Sequence, residues 1–158
     1  TEIYTLSLHD ALPISSSSGG TQAGLVLGAR LFGYTGKILG ISIDHQAVKM
    51  QNKIAGLAGE ASERIGEKIT FAPNEILIND EFIGPGYGVM GELEKNAIRL
   101  FAMKEGILLD PVYTGRAAGG MIHLIERKQL VQGQNILFWH TGGVPALFAQ
   151  PYQGILQP

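Results

Sequence analysis

Short apolar runs of strand length alternate with longer stretches of helical spacing through most of this chain, and glycines mark the joints between them. Residues 37–43, KILGISI, are apolar enough for a strand buried on both faces, and 75–79, 107–109 and 135–140 are further strand candidates. Between them, 21–32, 46–65, 91–104 and 117–130 carry helical periodicity. The second of these sets Val48, Ile54, Leu57, Ala58, Ala61 and Ile65 on one side and stops at Gly66. GPGYG at 84–88 is too broken for either regular state, and Tyr113, Thr114 and Gly115 read as a turn. Such alternation predicts an α/β fold, a mostly parallel sheet flanked by helices. In that architecture ligands sit beyond the carboxyl ends of the strands. The loops at 110–115 and 140–143 each follow a strand candidate and are expected to open on one crevice.

A chain of 158 residues is the size of one domain with a real core. Its net charge of -2, with 16% charged residues, supplies no basic field for nucleic acid and no basic amphipathic stretch for a membrane surface. A small, nearly neutral partner is expected instead. With no cysteine, disulfides and thiolate metal sites are excluded, and no histidine spacing makes a metal site. No apolar run reaches spanning length and no secretory signal pattern is present, so the chain reads as soluble and cytoplasmic.

The run SSSSGGTQAG at 15–24 stands directly before the first helix. A helix start leaves backbone N–H groups without intrahelical partners at the positive end of the macrodipole, so glycines and the hydroxyls of Ser18 and Thr21 could cup an anion there. The same residues could instead form a turn and a Ser or Thr helix cap. Neither G-x-x-x-x-G-K-[ST] nor G-x-G-x-x-G is present, and the local residues leave both readings open.

A phosphate loop normally leaves a buried strand, but residues 1–14 contain Asp10 and Pro13 and no sustained β pattern. TEIYTLSLHDALPIS is similar to translated adapter read-through at the ends of metagenome-derived chains. Residues 1–14 are therefore expected to be a non-native leader, and 15–158 the C-terminal portion of a longer protein.

Four strings in order, SSGGTQAG, GPGYG, EGILLDPVYTGRAAGGM and HTGGVPALF, resemble the C-terminal half of the D-cysteine desulfhydrase and aminocyclopropane-carboxylate deaminase family. That family consists of pyridoxal-phosphate enzymes of the tryptophan-synthase-β-like class. The resemblance implies that Ser18, Gly19, Gly20 and Thr21 hold the phosphate of pyridoxal phosphate and that Tyr87 and Tyr113 face the substrate as catalytic groups. A phenol there can hydrogen-bond a carboxylate or transfer a proton. The resemblance further implies a small amino-acid substrate and a homodimeric parent.

Thr114 and Thr141 discriminate within the family. Deaminases show an acidic residue after the motif tyrosine and a leucine before the final Gly-Gly, whereas desulfhydrase-like members carry threonine or serine. YTG and HTGG match the second pattern, which implies hydroxyls near the cofactor ring and an elimination giving sulfide, ammonia and pyruvate. Aminocyclopropane-carboxylate deamination is the second reading, and a non-catalytic sugar-phosphate-binding module the third. The family's Schiff-base lysine lies in its N-terminal half, and no lysine here carries that motif, so the chain by itself is expected to be inactive.

Overall fold

The computed structural model describes residues 10–130, 133 and 135–155. Three strands, β1 (Ala11–Ser16), β2 (Lys37–Ser42) and β3 (Leu77–Asn79), form one parallel sheet in the order β1-β2-β3. The register runs from Ala11 opposite Lys37 to Ser16 opposite Ser42, and from Leu39 opposite Leu77 to Ile41 opposite Asn79. Helices α1 (Gly20–Phe32) and α2 (Ala47–Arg64) are the crossovers, and α3 (Glu92–Glu105) and α4 (Thr114–Glu126) follow. The expected α/β arrangement is thus present.

Side chains alternate across a strand, so each face of the sheet buries its own set. Leu12, Ile14 and Ile38 pack with Val26 and Ala29 of α1. Ala11 and Ile41 pack with Ala117, Met121 and Leu124 of α4 on the other face. Behind α1, Ala23 and Leu27 meet Met50, Ile54 and Ala58 of α2. Ala97 and Ile98 of α3 meet Ala118 of α4. Isoleucines as fully buried as Ile14, Ile41 and Ile54 each contribute about 1.5–3 kcal/mol of transfer free energy.

The sequence placed no strand before Ser15, yet Ala11–Ser16 is a buried strand. Its proline also explains a second difference, at 135–140. That segment runs parallel to β1 but joins it only through bridges at Ala11–Ile136 and Ile14–Trp139. Ala11 N–H donates to Asn135, Leu137 N–H to Ala11, and Trp139 N–H to Pro13. The next bond of this ladder requires an N–H at position 13, which proline lacks, so the pairing breaks into two bridges.

Two further expectations are corrected. Residues 107–109 form no strand; Leu109 is buried and the Leu108 carbonyl accepts from His140. Thr114 and Gly115 form no separate turn but open α4, because the Asp110 side chain caps the helix there. The carboxyl ends of β1 and β2, the start of α1 and the start of α4 thereby share one side of the sheet.

Candidate functional site

The N-cap of α1 is Gly19, and no side-chain hydrogen bond caps the helix. Since Ala23 N–H is the donor to the Gly19 carbonyl, the N–H groups of Gly20, Thr21 and Gln22 precede the first intrahelical bond. Gly19 is required by its backbone, with φ 85, and by its setting, since a Cβ there would stand 2.8 Å from Cγ1 of Ile54. This close approach seats the turn on α2 and aims the helix start outward.

A cavity of about 290 Å³ opens at this helix start. Ser18, Gly19 and Thr21 line it together with Tyr113, Thr141 and Gly143. Three loops distant in sequence therefore meet in one crevice, as expected of 110–115 and 140–143. Gly20 is outside the lining and opens the first turn of α1. Thr141 Oγ1 lies 3.2 Å from Ser15 Oγ, which joins the 140–143 loop to the end of β1. The His140 ring fixes that loop. Its Nδ1 accepts from Gly142 N–H at 3.0 Å, so Nε2 carries the proton it donates to the Leu108 carbonyl at 3.0 Å.

Tyr113 is set by Asp110, a fully buried carboxylate. Asp110 Oδ2 accepts from the N–H groups of Val112 and Tyr113, each at 2.8 Å. Its Oδ1 accepts from Thr114 N–H at 2.6 Å and from Thr114 Oγ1 at 2.7 Å. The Thr114 hydroxyl in turn accepts from Asp110 N–H at 2.8 Å. Thr114 is 0% exposed and is absent from the cavity lining, so its hydroxyl is engaged in building the loop.

Tyr87 also lies outside the lining and reaches the site through Tyr113. Their hydroxyls hydrogen-bond, and their rings meet edge to face with centroids 5.9 Å apart. The Tyr87 hydrogen bond, followed by burial and by the negative charges of Asp110 and Asp44, pushes the Tyr113 hydroxyl up from 10.0 to about 12. Tyr113 is therefore a neutral donor across the ordinary pH range. Its contribution to stability is fully present below about pH 10 and is lost as pH rises through about 12. Labelled-tyrosine NMR should show Tyr113 ionising near that upper value, and Tyr87→Phe should lower it. An unchanged titration in Tyr87→Phe would contradict the pairing.

The lining tests what the cavity suits. Ser16 lines it with a buried Oγ that has no hydrogen-bond partner, and Ser17, hydrogen-bonded to Asp44 at 3.0 Å, lines it as well. Seven of the eleven lining residues carry a hydroxyl, and no carboxylate belongs to the lining. This donor-rich, helix-start geometry fits a phosphate monoester carrying a small ring. Sequence reasoning missed Ser15, Ser16, Ser17, Asp44 and Asp110. An aspartate directly before Pro-x-x-Thr was the available signal for Asp110, being the spacing of a side chain that caps the following helix.

A family profile described as "Pyridoxal-phosphate dependent enzyme" matches residues 2–142. Over 136 residues the chain is 38% identical to a D-cysteine desulfhydrase of Yersinia enterocolitica, covering 86% of this chain and 41% of that protein. A solved structure of an ACC deaminase homologue superposes with a TM-score of 0.80 at 32% identity, over 92% of this chain and 43% of that one. The chain thus spans about two-fifths of the length of these relatives.

Proposed function

The chain belongs to the pyridoxal-phosphate dependent enzyme family, and from that premise we propose that it is the C-terminal portion of a lyase acting on D-cysteine or a closely related small amino acid. The observation that carries this reading is the meeting of the α1 start, the serine hydroxyls, Thr141 and Tyr113 around one cavity. Bound there, pyridoxal phosphate supplies an electron sink for the carbon that loses a proton. Gly19, Ser18, Thr21 and the first-turn N–H groups hold the phosphate. Thr141 offers its hydroxyl to the ring side of the cavity. Tyr113 lines the cavity, and where Tyr87 takes the donor role in their hydrogen bond the Tyr113 proton is free to be donated to the departing sulfur. With one water consumed, the products are sulfide, ammonia and pyruvate.

The same reading takes residues 1–14 as a non-native leader and 15–158 as the C-terminal portion of the parent. The parent is cytoplasmic and homodimeric on this reading. Among the described residues no helix is long and apolar enough to cross a membrane.

Restoring the upstream half from the source DNA tests the assignment. The restored enzyme should have a higher kcat/KM for D-cysteine than for aminocyclopropane carboxylate, and Thr141→Leu should narrow that ratio. A preference for aminocyclopropane carboxylate in the unsubstituted enzyme would overturn the desulfhydrase reading.

A further inference from the structure

One charged side chain sits inside the small-residue run TGRAAGGM of α4, and the proposed chemistry leaves it unused. Arg116 is 1% exposed. Its Nε donates to Glu94 of α3, and Nη1 donates to the Ile43 carbonyl at the end of β2, at 2.8 Å. The remaining bonds all go to one loop. Nη1 donates to the Ile83 carbonyl and, at 3.4 Å, to that of Gly86, while Nη2 donates to the Val89 carbonyl at 2.7 Å. These carbonyls bracket Tyr87, which is itself 57% exposed. Gly84 closes the loop over the guanidinium: its φ is 70, and a Cβ there would stand 3.2 Å from Nη2.

We propose that Arg116 is a positioning residue of the site, its guanidinium setting the 83–89 loop so that Tyr87 meets Tyr113 at the cavity. The planar fork explains the choice of residue. It presents five N–H donors in fixed directions, enough to engage a carboxylate and several carbonyls at once. A lysine ammonium would keep the charge beside Glu94 but could not span the same acceptors. Glu94 orients the fork from the other side, because its second oxygen accepts from Gly91 N–H at 2.8 Å and is thereby fixed at the start of α3. Tyr113 is thus the N-cap of α4, and the helix carries, three residues on, the group that delivers Tyr113's partner.

The importance of the pair rests on the proposed function, but its geometry is read without cofactor. Labelled-tyrosine NMR of this chain should show contacts between the Tyr87 and Tyr113 rings. In Arg116→Lys those contacts should disappear, and Tyr113 should titrate lower by about one pH unit, matching Tyr87→Phe, while circular dichroism stays unchanged. Gly84→Ala, which leaves the Arg116–Glu94 pair in place but crowds the loop, should lose the ring contacts as well. It decides the question if Arg116→Lys does not fold. The proposal is overturned if Arg116→Lys melts at lower temperature yet keeps the ring contacts and the high Tyr113 titration, since Arg116 would then only stabilise α4. It is equally overturned if Gly84→Ala keeps both. Failure of the functional reading looks different: pyridoxine phosphate would not bind while the ring contacts persisted.

Discussion

Asp110→Ala should unfold the start of α4 and dismantle the cavity wall. Asp110 is fully buried and satisfies the N–H groups of Val112, Tyr113 and Thr114 together with the Thr114 hydroxyl. Alanine leaves these donors without partners in a place water reaches poorly, and each orphaned donor costs about 1–3 kcal/mol. Release of a buried charge offsets part of this, so the expected loss is about 3–5 kcal/mol, at the upper end for a single substitution. Asp110→Asn should fall between, because one acceptor oxygen remains and an amide N–H₂ faces donors at the other position. Urea unfolding of the three proteins checks the order. If Asp110→Ala costs less than Asp110→Asn, the capping role is wrong.

The capping by Asp110 also shows what the sequence concealed. Periodicity located α1, β2, α2 and α3 closely, because their apolar spacing and terminal glycines act locally. The turn expected at Tyr113 became a helix start because a side chain three residues upstream supplies the missing acceptors, an effect apolar periodicity does not reveal. Strand β1 was invisible for a comparable reason. Asp10 and Pro13 disguise a segment whose burial comes from α1 on one face and α4 on the other. For the site, the SSGGTQAG string pointed to Ser18, Gly19 and Thr21 at the α1 start and HTGG to Thr141, all of which line the cavity. Thr114 shares the motif but turns its hydroxyl to Asp110, and Arg116 was passed over as one charge among small residues. Motif resemblance thus identifies the loops, whereas the direction of each side chain depends on contacts made across the fold.

Gly19→Val should be the second large loss. A β-branched residue at φ 85 is strained, and its Cβ would stand 2.8 Å from Cγ1 of Ile54, itself fully buried. Backbone strain and overpacking each cost about 1–3 kcal/mol, giving about 2–6 kcal/mol together. The turn must move away from α2, which withdraws the helix start from the cavity. Gly19→Ala meets the same contact with less bulk and should weaken ligand binding in a protein that still folds. Gly20→Ala is the informative contrast, because no atom lies within 4 Å of the added Cβ and stability should not fall. Equal stability losses at the two glycines, read from denaturant midpoints, would contradict the packing described for Gly19.

The most direct test of the proposed cofactor cup is a titration of the chain with pyridoxine phosphate, followed by amide NMR. This probe has the ring and phosphate of the cofactor but no aldehyde, so it cannot condense with surface lysines. The account predicts saturable binding, competition by inorganic phosphate, and shifts concentrated at Ser18, Gly19, Gly20 and Thr21 with a second set at Tyr113 and Thr141. Gly19→Ala should weaken the binding about tenfold or more, equivalent to about 1.4 kcal/mol. Absence of saturation, or saturation that leaves the 15–21 amides unmoved, would contradict it.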